Sequence, residues 1–240
     1  MTQLSDIATY RTVSQAQIQS TFNAAMARVY VWMGIGLGIS TVVAWGISSN
    51  TGIAQTVFGN WWGFIGLLLV QFALIGAIHS AAQRANAGVA LGLFFGFAAL
   101  EGLVLAAVFL AFDLGTIRTA FWATSATFGV MAFFGLTTKR DLTGLGQVMF
   151  IGLIGLIIAI VINAFVGSST LEWIVSILGV MIFMGLTAYD SQKIKDMTAQ
   201  AVMEGNTNVV RSIGVVGALA LYLDFLNLFL FIVSILGRDD

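Results

Sequence analysis

Apolar residues in this chain come in long, nearly unbroken runs, near residues 29–49, 61–80, 88–111, 117–137, 144–166, 172–190 and 212–236. Each run has about the ~20 residues that an α-helix needs to cross the ~30 Å hydrocarbon core of a bilayer. The pattern therefore predicts an all-α polytopic membrane protein with seven transmembrane helices. Connectors are short apart from a polar stretch at 191–211. No internal repeat is evident, although two triplets of helices followed by a lone seventh fit the lengths.

Residues 1–28 read differently. Asp6, Arg11, Asn23 and several Gln make them too polar to supply the apolar core of a cleavable signal peptide. Residues 14–28 carry a helical pattern, with Ile18, Phe22, Ala25 and Met26 on one side, and lead into the first span. The expected organisation is a polar cytoplasmic N-terminal tail at 1–28 and a seven-helix transmembrane domain at 29–237.

Composition agrees with a membrane protein: 59% of residues are hydrophobic and 9% charged, and mean hydropathy is +0.97. Ten Lys and Arg against eleven Asp and Glu give no basic surface for nucleic acid. The absence of Cys excludes disulfides, thiol catalysis and thiolate-held metals. The absence of Pro leaves helix bends to the 27 Gly. Gly34 and Gly38, and Gly88, Gly92 and Gly96, recur every four residues, a spacing that lets helices approach closely in lipid. They are expected to form packing faces.

Loop charge sets the orientation. With the N-terminus inside, the inner side holds Arg11, Arg28, Arg84, Lys139, Arg140, Lys193, Lys195 and Arg211, and the outer side only Arg118 and Arg238. The N-terminus is expected to be cytoplasmic and the C-terminus external.

Ionisable groups inside spans mark candidate chemistry, because an acid at the bilayer centre costs roughly 2.5–3.5 kcal/mol on insertion scales. Asp224 is the clearest, lying between Arg211 and Arg238 with no other charge. Gly217, Ala220, Asp224, Asn227 and Ser234 share one face of the seventh helix, a small and polar stripe suited to a cavity. Asp190 closes the sixth run; it is either part of such a site or an interfacial acid paired with Lys193 or Lys195. Glu101 reaches nearly the depth of Asp224, which suggests one polar cavity, with separate hydrogen bonds as the alternative. His79 and Arg84 end the second span, and Arg84 is either an anchor or long enough to reach buried carboxylates.

The segment Leu221-Tyr222-Leu223-Asp224-Phe225-Leu226-Asn227-Leu228-Phe229 resembles the last-helix motif of the Bax inhibitor-1 (transmembrane Bax inhibitor motif) family. Tyr189-Asp190-Ser191-Gln192-Lys193-Ile194 resembles its sixth-helix motif, Lys139-Arg140-Asp141-Leu142-Thr143 its basic loop, and Glu101-Gly102 a third-helix pair. The resemblance implies a central C-terminal helix wrapped by the other six, in a bacterial inner membrane. It further implies a pH-sensitive calcium leak in which Asp190 and Asp224 share a proton when closed. A second-helix Arg latches that pair in the family, and Arg84 occupies a comparable place; Tyr189, Glu101 and Asn227 are supporting residues. Calcium is expected to bind only weakly, at Asp190 and Asp224, with no cofactor. Some bacterial relatives bind a membrane-anchored ATP-dependent protease, and the N-terminal tail is the natural contact for such a partner. Spacing alone fits the pair imperfectly, since Asp190 lies near the inner end of its run and Asp224 deep within its own.

Two other functions compete. A regulatory protein that binds a protease without transport fits the same sequence. Intramembrane aspartyl proteases also place Tyr-Asp on a sixth helix and a second Asp on a seventh, but that second Asp follows Gly-x-Gly. Here Leu221, Tyr222 and Leu223 precede Asp224, and the Pro-Ala-Leu element of those proteases has no counterpart.

Overall fold

The computed structural model describes residues 15–49 and 61–238. Among them are seven helices: α1 (Gln15–Ser48), α2 (Trp61–Gln83), α3 (Ala87–Ala111), α4 (Leu114–Thr137), α5 (Thr143–Val166), α6 (Ser169–Met203) and α7 (Thr207–Leu236). Every one is long and apolar enough to cross a membrane, and no strand occurs among the described residues. The protein is an integral membrane protein, with seven membrane-spanning helices among the described residues.

The helices stop where local chemistry stops them. Asp113 caps α4 by accepting from the Gly115 and Thr116 amides at 2.6 and 3.1 Å, which satisfies otherwise orphaned donors of the first turn. Between α6 and α7, Gly205 takes a left-handed conformation, φ 70°, that side chains resist.

That turn corrects the expected polar connector at 191–211. α6 continues to Met203 and α7 begins at Thr207. The stretch is polar in sum but amphipathic in period: Ile194, Thr198, Ala201 and Val202 fall three or four residues apart and are buried. α1 likewise runs without a break through residue 28. Its early turns place Ile18 and Ala25 against Ala201, Val202 and Val210, so over residues 15–28 the sided pattern is a helix that clasps the α6–α7 hairpin. Residues 1–14, with Asp6 and Arg11, lie outside the described residues.

Around α7 the other helices form two triplets. α1 and α2 both pack along α3, and α4 and α5 both pack along α6. α7 lies in the middle, touching α1, α2, α3, α4 and α6. The sixth neighbour stands off: α5 makes no backbone approach to α7 or to α2. The core is built on α7, where Leu219, Leu221, Tyr222, Leu228 and Val233 are almost wholly enclosed.

The glycine faces differ from expectation. A Cβ at Gly34, Gly38, Gly92 or Gly96 would meet nothing within 4 Å, and Gly88 only its neighbouring cap Asn86. Close approach happens elsewhere. A Cβ on Gly102 would lie 2.7 Å from the Ser40 carbonyl oxygen and from Val43, where α3 crosses α1, and one on Gly146 would lie 2.6 Å from the Tyr189 ring. Spacing of four creates a smooth ridge but does not say which way it faces.

Candidate functional site

Because α5 stands away from α7, a cavity of about 660 Å³ lies between them, bounded by α6 and by the end of α2. Its wall on α5 is apolar apart from Gln147, with Phe150, Leu153 and Leu156. Its floor is the polar stripe of α7, where Ala220, Asp224 and Asn227 face it together. α6 adds Tyr189, Asp190 and Lys193, and α2 adds His79.

The two aspartates meet here. Asp224 is 4% exposed, and its Oδ2 has no hydrogen-bond partner. The carboxyl of Asp190 is near enough to act electrostatically on that of Asp224. The apparent mismatch in depth came from ending the sixth span at Asp190. Thirteen residues of α6 follow Asp190 and seventeen of α7 precede Asp224. The offset is therefore about four residues, ~6 Å at ~1.5 Å per residue, within the reach of two inclined helices.

Asp190 is not an acid paired with a neighbouring lysine. Among the described residues the only ion pair joins Lys195 to Asp196, at 3.9 Å, and Lys195 also donates to the Leu136 carbonyl at 3.2 Å. The Lys193 ammonium sits 5.6 Å from the centre of the Tyr189 ring, at the mouth of the cavity, close enough for its charge to be felt by Asp190. Arg84 is exposed just past the end of α2 and does not line the cavity. In this conformation it latches nothing. His79 does line it, its Nδ1 donating to the Ile75 carbonyl at 2.9 Å. That carbonyl can only accept, so Nδ1 carries the proton and Nε2 is left as an acceptor in the neutral ring.

A family model described as inhibitor of apoptosis-promoting Bax1 matches residues 22–240, both aspartate motifs included. The chain belongs to the Bax inhibitor-1 family. Among curated relatives, it is 39% identical over 228 residues to the inner membrane protein YbhL of Escherichia coli (strain K12), covering 95% of this chain and 97% of that one. It is 41% identical over 216 residues to a protein of Borreliella burgdorferi, covering 90% and 92%. To a membrane protein of Streptococcus pyogenes serotype M3 it is 34% identical over 220 residues, covering 91% and 94%.

In this Bax inhibitor-1 family chain, Glu101 is not part of the aspartate cavity, contrary to the shared cavity expected from depth. It lies on the opposite side of α7 and accepts a 2.6 Å hydrogen bond from Gln71 Nε2. Nearby, the Tyr222 hydroxyl meets Ser40 Oγ at 2.6 Å, and Ser40 donates to the Ala98 carbonyl at 2.7 Å. Ser40 has one proton, so Tyr222 is the donor of the first bond. Sequence reading passed over Gln71 and Ser40. Both sit in the middle of apolar runs, the same signal that singled out Glu101.

No group of three His, Cys, Asp or Glu that could hold a metal ion occurs among the described residues. Two carboxylates offer at most a partial oxygen shell, where calcium takes six to eight ligands. The arrangement suits a cation that passes or a proton that is shared.

Proposed function

We propose that this protein is a pH-sensitive calcium leak channel, gated by the Asp190–Asp224 pair. The observation that carries the reading is the pair itself: two carboxyls from adjacent helices, α6 and α7, that line one cavity of about 660 Å³ in a membrane-spanning bundle. A functional acid in a membrane is worth its insertion cost only where it faces a partner or water.

The gate follows from charge. With one proton between them, Asp190 and Asp224 attract each other and hold α6 against α7. With both ionised, like charges in a poorly polarisable surrounding repel, and the pair titrates as a unit. Repulsion favours separation, and α5, whose backbone does not approach α7, leaves room for it. Water then fills the cavity and the carboxylates draw calcium in. Only a small free-energy difference between the two packings is required. The positive-inside distribution of Lys and Arg puts the Lys193 mouth on the cytoplasmic side.

The test is calcium flux through purified protein in liposomes across pH. Wild type is expected to leak more as pH rises through the titration of the pair. Asp224→Asn removes the charge change and is expected to flatten that dependence while leaving the protein folded. A wild-type pH profile in Asp224→Asn would falsify the two-aspartate gate.

A further inference from the structure

Beyond the aspartate cavity, a second chamber of about 560 Å³ lies at the end of the bundle that carries the α5–α6 turn. Half of its ten lining residues are polar: Asn163 at the end of α5, Glu172 and Ser176 at the start of α6, and Asn227 and Ser234 on α7. Ser176 and Ser234 are joined hydroxyl to hydroxyl at 3.2 Å. The two chambers have three lining residues in common, Ile160, Asn227 and Phe231. On α7, Asp224, Asn227, Phe231 and Ser234 follow at steps of three, four and three, so they form one line along a single face.

We infer that the second chamber is the other half of one transmembrane route, and that the Phe231 ring is the plug between the halves. The neck has one polar member. Asn227 Nδ2 donates to the Leu223 carbonyl of its own helix at 2.8 Å. A carbonyl accepts only from the amide nitrogen, so Oδ1 is the atom left to face a passing cation. Ile160 and Phe231 supply the apolar remainder, and an apolar constriction between two wet chambers blocks ions by excluding water. The ring is held in place from α6. It stacks on Phe183 at 5.9 Å, and a Cβ on Gly179 would come within 2.5 Å of it, so Gly179 is the recess that seats the plug. Glu172, exposed in the first turn of α6, is the one carboxylate lining this chamber and gives its mouth a preference for cations. The route rests on the leak reading for its cargo but not for its geometry.

The chain has no Cys, so single cysteines can be placed without background and probed in proteoliposomes with a permanently cationic methanethiosulfonate reagent added from either side. Ser234→Cys is expected to react from the side of the α5–α6 turn. Ile162→Cys, on the lipid-facing surface of α5 at 50% exposure, is expected to stay unreactive. Ala220→Cys, in the aspartate cavity, is expected to be protected from that side while Phe231 is present and to lose the protection in Phe231→Ala. Phe231→Leu, which keeps an apolar side chain, is expected to give partial loss and serves if the alanine variant fails to fold. The route is wrong if Ser234→Cys is as unreactive as Ile162→Cys. The plug is wrong if Ala220→Cys reacts from that side with Phe231 in place, or stays protected in both Phe231 variants. If the labelling pattern holds and calcium flux is absent, the route stands and the calcium reading alone falls.

Discussion

Tyr222 and Asp224 are two residues apart on α7 and face opposite ways, into surroundings that could hardly differ more. On the Tyr222 side, α1 and α3 press in. The ring is wholly enclosed between the edges of Phe94 and Phe97, with centroids 5.5 and 6.1 Å away, and its hydroxyl is satisfied by Ser40. Gly36 gives it room, since a Cβ there would lie 3.3 Å from the ring. On the Asp224 side, α5 holds back, a cavity remains, and a carboxylate oxygen has no partner. The same helix is packed without a gap against α1 and α3 on one face, while on the other only α6 lies close and α5 leaves a cavity. A rearrangement that opens the aspartate cavity can therefore leave α7 fixed to α1 and α3, with the movement confined to α5 and α6.

Truncating each residue tests that contrast most strongly. Tyr222→Ala removes a buried ring and opens a void that close-packed neighbours fill poorly. The expected cost is about 3 kcal/mol, the low end for large-to-small changes at buried aromatics, because lipid supplies little hydrophobic drive between helices. Asp224→Ala removes a smaller side chain that already borders a cavity and whose Oδ2 has no hydrogen-bond partner, and is expected to cost clearly less. Reversible unfolding of the two variants in mixed detergent micelles checks this. Equal losses would mean that the two faces are equally packed and that the division of α7 into a closely packed side and a cavity side is wrong.

Glycines give a smaller effect on the same axis. Gly102 lies where α3 meets α1 on the closely packed side, and Gly102→Ala forces its methyl against the Ser40 carbonyl and Val43. Overpacking of this kind costs about 1–3 kcal/mol. Gly92→Ala faces open space and is expected to stay within about 0.5 kcal/mol of wild type. A loss at Gly92 comparable with that at Gly102 would show that the outward ridge of α3 is packed against something after all.

These positions also show what the chain discloses on its own. Hydropathy is enough to count seven spans, because lipid requires nothing subtler than length. It stops short at Asp190 and at residue 28, where helices leave the bilayer and buried residues alternate with polar ones; there period carries the information and summed hydropathy hides it. The helical period of α7 separates Tyr222 from Asp224 by ~200°, at ~100° per residue, so opposite faces are legible from the sequence. Which neighbours occupy those faces is not, since that depends on helix order around the bundle. This is why Glu101, matched to Asp224 by depth, lies on the far side, and why Gly88, Gly92 and Gly96 turn outward despite their spacing. The sequence motifs did bring Asp190 and Asp224 to one cavity, while no local pattern fixed Arg84, and it lies outside.

The weakest expected effect concerns what keeps the cavity side in place. The backbone of α5 does not approach α7, so its position depends on α6 and on its own ends. At its start, Gln192 on α6 accepts from the Leu142 amide through Oε1 and donates to the Arg140 carbonyl through Nε2, both at 2.8 Å. Asp141, in the same loop, accepts from the Thr143 amide at 2.8 Å, adding a local tie at the first turn. The Thr143 hydroxyl and amide hold the Asp141 carboxyl below its ordinary range. A depressed value means that the ionised form favours the folded state. This contribution is present at pH above the unfolded carboxyl's titration and is lost as pH falls through the folded one. Asp141→Asn is thus expected to lower thermal stability slightly at neutral pH, and the difference from wild type is expected to shrink to nothing in acid. Thermal unfolding of both proteins as a function of pH checks it. A difference that persists unchanged into acid would mean that the residue acts through shape rather than charge, and that the end of α5 is held by Gln192 alone.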